Sequence, residues 1–504
     1  MLKYLIIICV FAWPLSLLAQ NKPLSKPNIV ILYVDDLGYG DLGCYGATQV
    51  HTPNVDKLAK NGLRFTDGHC TAATCTPSRF SLLTGSYAFR NEAAILPGDA
   101  PLLIRPGTPT LPAMLQQAGY NTAVIGKWHL GLGNGTINWN EPIKPGPAEV
   151  GFNYSFIIPA TLDRVPTVYV ENGAVVNLDP SDPITVNYNH KIGTDPTGLE
   201  RPDLLKFKAD TQHSNTIVDG ISRIGYMSGG QAARWKDREM VDVLTQKTQQ
   251  FLAQQKDKPF FLYLSYTDIH VPRDPHPRFR GATKMGSRGD AIVQMDWITG
   301  EVINMLEKQG LLKNTLVIFT SDNGPVLDDG YDDHAEELAV HHQSGGPYKG
   351  GKYSAYEAGT RVPTIVYWPG TVKPGRSRAL VNQVDLFASL ASLTAQELPA
   401  SSAPDSFDML DTWLGRSQRG RPTMLEESFT LALRWGNWKW IAPQEKEAPA
   451  WLKDKKIPTG LGKQGQLYNL TKDPAEQHDV SGTYPNQAKK MQDMIGQIKQ
   501  RGKS

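Results

Sequence analysis

The stretch Asn28-Ile-Val-Ile-Leu-Tyr-Val34, followed directly by Asp35-Asp36, decides the fold class that this sequence predicts. It is a continuous apolar run, rich in β-branched residues and about as long as one strand. A strand without polar alternation is typical of a sheet that is covered on both faces, as parallel sheets are. We therefore predict a buried strand of a parallel sheet that ends in two adjacent carboxylates.

Three further apolar runs share this character, and polar residues follow each of them. They are Tyr120 to Ile125, ahead of Lys127 and His129; Phe260 to Leu264, ahead of His270; and Leu316 to Phe319, ahead of Asp322 and Asn323. Segments with helical spacing lie between the runs, and this alternation indicates a doubly wound, mostly parallel α/β sheet flanked by helices. Ligands of such sheets bind beyond the carboxyl ends of the strands, so we expect these polar residues to share one site.

Length and composition indicate two domains. The 504 residues, 40% hydrophobic and 20% charged, suit one large globular domain and a smaller one. We place the large domain at residues 20–400, with a Pro- and Asn-rich insertion at 142–230 that lies over the site. Alternation from Leu431 to Ile441 predicts a C-terminal α+β domain with an antiparallel sheet at 401–504. The formal net charge of +2 provides no strong field, and we expect no nucleic-acid partner.

The N-terminus has the features of an export signal. Lys3 precedes an apolar run from Tyr4 to Leu18, and Ala19 ends it before Gln20. A membrane anchor is the alternative, but Pro14 interrupts the run, which falls short of ~20 residues. We predict a cleaved signal peptide at residues 1–19 and no membrane anchor after cleavage. We therefore expect an exported protein, located in a bacterial periplasm, with secretion or a lysosome as the alternatives.

The cysteine count separates one thiol from the others. Of four cysteines, Cys9 leaves with the signal, and Cys44, Cys70 and Cys75 remain. An odd number in an exported protein indicates one thiol with a separate fate. Whether Cys44 and Cys70 form a pair or stay buried thiols is left open by the sequence.

The run Cys75-Thr-Pro-Ser-Arg-Phe-Ser-Leu-Leu-Thr-Gly85 carries the most specific signal. It resembles the motif of the type I, formylglycine-dependent sulfatases, arylsulfatase-like members of the alkaline phosphatase superfamily. The resemblance implies that a formylglycine-generating or anaerobic sulfatase-maturating enzyme oxidises Cys75 to Cα-formylglycine. One hydroxyl of its hydrated gem-diol then attacks the sulfur of a sulfate ester, and the second lets sulfate leave and restores the aldehyde.

The same resemblance implies a metal site of hard oxygen ligands. Asp35, Asp36, Asp322 and Asn323 match the positions of the family's ligands, and the modified Cys75 completes the set. An all-oxygen site suits Ca²⁺, or less well Mg²⁺, and gives zinc little of the nitrogen or sulfur that it prefers.

The resemblance also implies which cationic residues bind the sulfate group and stabilise its transition state. Gly126-Lys127-Trp128-His129-Leu130-Gly131 matches a family motif in which Lys127 contacts sulfate and His129 holds the diol and acts as a base. His270 is implied to protonate the leaving oxygen, with His276 as a rival. Lys352 is implied to grip the sulfate, and Arg79 to orient the modified residue and offset its charge.

Substrate recognition is less determined. We expect an exported sulfatase to act on a sulfated carbohydrate. In the polar loop 325–348, His334 and His341 are candidates to bind sugar hydroxyls, but a solvated loop explains them equally well. The loop shows no clear spacing for a second metal.

Two other functions fit part of this pattern. A phosphonate or phosphate ester hydrolase on the same fold can share the modified cysteine, and relative turnover of aryl sulfate and aryl phosphate separates the two. A retired sulfatase that only binds sulfated glycan would keep Cys75 as a thiol in its host.

Overall fold

The computed structural model describes residues 26–445 and 447–501. The predicted signal peptide at 1–19 lies outside the described residues. Along the described chain the strands are β1 (Asn28–Val34), β2 (Leu63–His69), β3 (Asn121–Lys127), β4 (Tyr154–Ile158), β5 (Val170–Glu171), β6 (Ala174–Val175), β7 (Thr185–Asn187), β8 (Ile217–Val218), β9 (Ile221–Ser222), β10 (Tyr226–Ser228), β11 (Phe260–Ser265), β12 (Thr315–Ser321), β13 (Thr364–Tyr367), β14 (Gly375–Asn382), β15 (Thr423–Glu427), β16 (Leu431–Trp435), β17 (Trp438–Ile441) and β18 (Gln466–Asn469). The α-helices are α1 (Pro53–Asn61), α2 (Cys75–Thr84), α3 (Leu111–Gln117), α4 (Pro147–Val150), α5 (Met240–Ala253), α6 (Gly286–Lys308), α7 (Ala335–Leu338), α8 (Glu357–Thr360), α9 (Leu386–Leu393), α10 (Leu410–Trp413) and α11 (Pro485–Gln500).

A ten-stranded sheet forms the centre of the molecule, in the order β14-β2-β13-β12-β1-β11-β3-β4-β5-β6. Its middle strands β12, β1, β11, β3 and β4 are parallel, whereas β13 and β5 run antiparallel to their neighbours. The carboxyl ends of the parallel strands therefore meet at one edge. The predicted fold class, a mostly parallel sheet flanked by helices, is confirmed.

Both faces of the sheet are covered, which explains why β1 shows no alternation of polar and apolar residues after Asn28. Ile29, Ile31 and Tyr33 face a core that includes residues of α2, α3 and α9, while Val30, Leu32 and Val34 face one that includes residues of α1, α5 and α6. All six side chains are fully buried. Burial of an aliphatic side chain contributes about 1.5–3 kcal/mol, so this strand stabilises both layers at once.

The segment 142–230 differs in part from its prediction as an insertion. Residues 154–175 carry β4, β5 and β6, which extend the main sheet beyond β3. The apolar piece Tyr154–Ile158 is a sheet strand whose short length and Pro- and Asn-rich surroundings hid it in the sequence. Only the rest of the segment is available to cover the site.

The start of α1 is capped by a residue of another helix. Thr52 occupies the N-cap position, but its hydroxyl accepts from Gly43 N–H (2.9 Å) instead of capping the helix. Asp296 of α6 takes that role, since its carboxylate accepts from the backbone N–H groups of Asn54 (3.1 Å) and Val55 (2.9 Å). A distant residue caps this helix, which no local pattern could indicate.

The C-terminal part forms a smaller antiparallel sheet, β15-β16-β17-β18, against which α11 packs. Two cations of this sheet reach a glutamate of the large domain: Arg434 and Lys439 lie 2.8 and 3.1 Å from the carboxylate of Glu357, and all three are buried. Such a desolvated network holds the two parts in one arrangement, because removing one partner leaves a buried charge unpaired.

Two further observations concern the described residues alone. Within 26–445 and 447–501, no helix has the length and apolar character needed to cross a bilayer. Cys44, Cys70 and Cys75 are free thiols, so the structure pairs none of them.

Candidate active site

The residues singled out at strand ends converge at one edge of the sheet. Asp35 and Asp36 follow β1, Asp322 and Asn323 follow β12, and Lys127 is the last residue of β3. Because β12, β1, β11 and β3 are successive parallel neighbours, their ends lie side by side. These five residues are 0–1% exposed, although all are polar or charged.

Cys75 is the first residue of α2 and points into this buried site. Its side chain is buried, and burial raises the pKa of the thiol although Lys127 and Lys352 partly offset this. A buried, protonated thiol is a weak nucleophile. Cys75 as encoded is therefore placed for the reaction but poorly suited to perform it.

Ser78 lies in the first turn of α2 and fixes the chain ahead of the helix. The helix begins at Cys75, and the Ser78 hydroxyl donates to Ala72 O (2.8 Å) and accepts from Ala72 N–H (3.1 Å). It therefore fixes the turn that leads into the helix and sets the position of Cys75.

The predicted metal ligands form a group of oxygen atoms. One carboxylate oxygen from each of Asp35, Asp36 and Asp322 lies within 4.8 Å of the other two. Asp35 Oδ1 and Asn323 Oδ1 are buried without a hydrogen-bond partner among the described residues. Burial raises the pKa of Asp35, Lys127 partly offsets this, and the adjacent carboxylates of Asp322 and Asp36 raise it further. Crowded carboxylates and unpartnered oxygens fit a divalent cation, which would favour the charged form.

Three cations already hold this carboxylate group in place. Lys127 Nζ lies 2.6 Å from Asp35 Oδ2, and Lys352 Nζ lies 2.9 Å from Asp36 Oδ2. Arg79 donates twice to Asp322 Oδ2, at 2.7 and 3.0 Å. The structure thus places Arg79 on a predicted metal ligand, where it acts as a positioning residue for Asp322.

The hydrogen bonds of His129 leave one of its ring nitrogens free to act as a base. Its Nε2 bonds to the carbonyl oxygen of Leu96 (2.9 Å), which can only accept, so Nε2 carries the proton. Nδ1 is buried, has no partner within the described chain, and keeps its lone pair. Burial, with Lys127 nearby, lowers the pKa of His129 and keeps the ring neutral.

A backbone carbonyl group also holds the ring of His270, but through Nδ1 and not through Nε2. Nδ1 lies 2.6 Å from Val271 O, and Nε2 lies 4.0 Å from Asp36 Oδ2. Burial and the charge of Lys352 lower the pKa of His270 to about 4. Its rival His276 is 27% exposed and contacts Asp242. Of these two histidines, His270 lines the cavity above Cys75 and His276 does not.

That cavity, with a volume of about 220 Å³, opens beside Cys75, His270 and Lys352. Two more of its residues join these groups by ion pairs and hydrogen bonds: Asp329 binds Lys352 (3.0 Å) and the hydroxyl of Tyr353 (3.0 Å). The opposing carboxylates outweigh burial and raise the pKa of Lys352, which therefore stays charged.

Sequence reasoning missed three polar residues on the far wall of the cavity, Asp163, Arg164 and His213. Arg164 lies 2.9 Å from Asp163, and His213 lies between Asp163 (3.4 Å) and Asp210 (2.7 Å). Burial opposes the charged ring, yet the two carboxylates outweigh it and raise the pKa of His213. Recognising β4 as a sheet strand would have pointed to Asp163 and Arg164, which lie just beyond its carboxyl end.

The two histidines predicted for sugar binding lie elsewhere. His334 is 66% exposed, contacts Asp332, and lines a second, neighbouring cavity. His341 is exposed and lines neither of these two cavities. The adjacent His342 is buried and bonds to Asp41 (2.7 Å), a structural contact.

Comparison with known proteins agrees with this geometry. The family model described as Sulfatase matches residues 27–396. An N-acetylgalactosamine-6-O-sulfatase of Bacteroides thetaiotaomicron is 50% identical over 96% of this chain and 94% of that protein. Human arylsulfatase A is 31% identical over 93% of this chain and 86% of that protein.

Similarity extends to three dimensions. A solved sulfatase structure, described with the metabolism of multiple glycosaminoglycans by Bacteroides thetaiotaomicron, superposes with a TM-score of 0.93 at 50% identity, covering 95% of this chain and 100% of that one. With the family match over most of its length, the chain belongs to the sulfatase family, the sulfuric ester hydrolases of the alkaline-phosphatase-like superfamily.

Proposed function

We propose that this sulfatase is an exported enzyme that removes the 6-sulfate from N-acetylgalactosamine units of a glycosaminoglycan, with formylglycine made from Cys75 and a bound Ca²⁺. The observation that carries the substrate is the 50% identity to an N-acetylgalactosamine-6-O-sulfatase along nearly the whole of both chains. The N-terminal run from Tyr4 to Leu18 supports export.

Two buried ammonium groups provide the sulfate site. Lys127 and Lys352 are 0% and 1% exposed and flank the carboxylates next to Cys75. At a buried position, fixed positive charge stabilises the charge that develops on the sulfate oxygens more than it would in solution. Asp36 and Asp329 hold Lys352 from two sides, so its position is set before the substrate arrives.

The metal site would be formed by Asp35, Asp36, Asp322 and Asn323. A bound divalent cation would supply Lewis acidity toward the reacting oxygens. The unpartnered oxygens of Asp35 and Asn323 support this assignment, since each is a buried acceptor that lacks a donor in the described structure.

The two histidines would move the two protons of the reaction. A formylglycine at position 75 would supply the nucleophilic hydroxyl. His129 has a free Nδ1 lone pair to take a proton from it, and its Nε2 is fixed by Leu96. His270 lines the cavity with its Nδ1–H bound to Val271 O, so Nε2 carries a lone pair. Nε2 would first take a proton from solvent and then give it to the departing sugar oxygen.

The far wall would bind the sugar. Asp163, Arg164 and His213 combine carboxylate acceptors with cationic donors, which suits hydroxyl and amide groups. A volume of about 220 Å³ lies below the roughly 300–1,000 Å³ of pockets for drug-sized ligands, which supports a single sugar ring in this cavity.

A panel of monosaccharides tests the proposed function. We expect kcat/KM of the matured enzyme for N-acetylgalactosamine 6-sulfate to exceed that for the 4-sulfate by at least about 100-fold, because the proposed site would hold only one ester oxygen next to Cys75 and His270. A higher value for the 4-sulfate would contradict the assigned position. A higher value for N-acetylgalactosamine 6-phosphate would favour the phosphate or phosphonate hydrolase.

Removal of the metal tests the oxygen site. Dialysis against a chelator is expected to lower kcat at least about 100-fold and also to lower the thermal unfolding midpoint, because a tightly bound ion stabilises the fold by mass action. Added Ca²⁺ should restore both, and Asn323→Ala should weaken the Ca²⁺-dependent shift of the midpoint. Full activity and an unchanged midpoint after exhaustive chelation would contradict the metal assignment.

A further inference from the structure

Three buried side chains bring different kinds of metal ligand together at Cys75 in its encoded thiol form. One ligand atom each of Asp35, Cys75 and His270 lies within 4.8 Å of the other two. The ligand atoms of a tetrahedral zinc ion lie roughly 3.4–3.6 Å apart, so small side-chain rotations would close this group around an ion. A sulfur, an imidazole nitrogen and a carboxylate oxygen form a set that suits Zn²⁺, whereas Ca²⁺ and Mg²⁺ prefer oxygen alone.

Two of these ligands have a lone pair that the described chain does not use. Asp35 Oδ2 accepts from Lys127 Nζ (2.6 Å), but Asp35 Oδ1 is buried and has no hydrogen-bond partner among the described residues. The closest charged group to Oδ1 is Arg79 Nη2, at 3.8 Å. The ring of His270 donates through Nδ1 to Val271 O (2.6 Å), which leaves the lone pair on Nε2. A buried acceptor without a donor is uncommon, and a bound ion is one way to satisfy it.

The thiol of Cys75 is the soft ligand of this group. Burial raises the pKa of the free thiol, so it keeps its proton in the absence of a metal. A coordinated thiol is deprotonated, because the charge of the ion takes the place of the proton. Binding would form a Zn–S bond and break the S–H bond, and the proton would leave to solvent through the cavity that Cys75 and His270 line. The same cavity leaves room for a water molecule as a fourth ligand.

The charges around this point permit a further cation. Lys127 is paired with Asp35 (2.6 Å), and Lys352 lies 2.9 Å from one carboxylate and 3.0 Å from another. With the carboxylates ionised, four acids surround three cations and leave one negative charge, and a thiolate adds a second. The acids are Asp35, Asp36, Asp322 and Asp329, and the cations are Arg79, Lys127 and Lys352. This excess matches the charge of a divalent ion.

Other groups of possible metal ligands in the described chain already contain a protein cation. Asp36, His270 and Asp329 also lie close together, but Lys352 Nζ is within 3.0 Å of both carboxylates. A group where the C-terminal sheet meets the large domain holds the guanidinium of Arg434, and its members are Asp67, His69 and Glu357. The group around Cys75 differs, because its sulfur, Nε2 and Oδ1 have no hydrogen bond to a protein cation.

We propose that the unoxidised enzyme binds one Zn²⁺ through Cys75, His270 and Asp35. This ion would share Asp35 with the proposed Ca²⁺ site, so the two metals would compete. Oxidation of Cys75 would remove the sulfur ligand, and the state of residue 75 would then determine which metal the site prefers. That consequence rests on the proposed formylglycine, whereas zinc binding by the thiol form does not.

The full chain, produced without a maturation enzyme and with Cys75 confirmed as a thiol by mass spectrometry, tests this with Zn²⁺, Co²⁺ and Ca²⁺ as probes. We expect calorimetry to show one Zn²⁺ per chain, and Co²⁺ to give the near-ultraviolet charge-transfer absorption of a cobalt–thiolate bond. Cys75→Ser should weaken Zn²⁺ binding at least about 100-fold and His270→Ala at least about 10-fold. Cys75→Ser should keep its Ca²⁺ affinity within about threefold, since oxygen ligands hold that ion.

Cys44→Ala and His276→Ala are the matched controls, because each removes a thiol or an imidazole outside the group. Both should keep the zinc affinity and the cobalt–thiolate absorption. An unchanged zinc affinity in Cys75→Ser would overturn the inference, as would a cobalt–thiolate absorption that survives in Cys75→Ser and disappears in Cys44→Ala. No sulfated sugar takes part in these measurements, so a negative result would overturn the zinc site and leave the proposed substrate unaffected.

Discussion

Replacing Cys75 with alanine is expected to lower kcat/KM for a sulfated sugar by at least roughly 10⁴-fold, a loss typical for removal of a nucleophile. The remaining site would still hold Lys127, Lys352 and the carboxylate group, so sulfated ligand and metal should bind. In the proposed mechanism, a side chain that cannot be oxidised provides no hydroxyl at position 75 to attack sulfur. Steady-state turnover and ligand binding by calorimetry, measured on the same preparation, check both parts.

Cys44→Ala is the matched control for this experiment. Cys44 is a free, half-buried thiol in the turn before α1 and is not among the residues that line the cavity above Cys75. The control should keep its turnover within about twofold of the unmodified enzyme. Substitutions of partly exposed residues away from the active site usually have small effects on the stability of the protein. Substantial activity in Cys75→Ala would remove Cys75 from the centre of the mechanism.

Replacing His270 with alanine is expected to have an effect that depends on the leaving group. For a sugar sulfate, whose alkoxide is a poor leaving group, kcat should fall roughly 10²–10⁴-fold, the usual contribution of a general acid. For an aryl sulfate the phenolate leaves without a proton, and the loss should be much smaller. The ratio of the two losses is the measurement, since a general defect in folding or binding would reduce both equally.

His276→Ala gives the comparison for His270. It removes the imidazole that the sequence left as a rival, a partly exposed ring paired with Asp242. Both substrates should be turned over nearly as before. If His276→Ala lost the sugar sulfate activity selectively while His270→Ala did not, the roles of the two residues would be exchanged.

Much of the fold follows from local sequence because its strands are buried on both faces. Asn28–Val34 could only be a central strand, and its neighbours on either side, β11 and β12, were recognisable from the same apolar character. The predicted strand-end residues meet because parallel strands place their carboxyl ends at one edge. The short strand β4 escaped recognition, since five residues among prolines and asparagines carry no such pattern.

The residues of the proposed sugar-binding wall could not be predicted from the sequence, for a different physical reason. Asp163 and His213 lie far apart in sequence, in irregular segments, and only tertiary packing brings them around Cys75. His334 and His341 show the converse. A polar loop close to Lys352 in sequence directs these side chains to solvent or to the second cavity, because the buried positions are filled by Asp329 and His342.

The state of the side chain at position 75 in active enzyme is the most direct test of this account. Mass spectrometry of the peptide that contains Cys75 would be combined with turnover of N-acetylgalactosamine 6-sulfate by the same sample. The account predicts an aldehyde in place of the thiol, in a fraction that rises in proportion to kcat as more of the maturation enzyme is supplied. A fully active preparation in which Cys75 is only a thiol would contradict it.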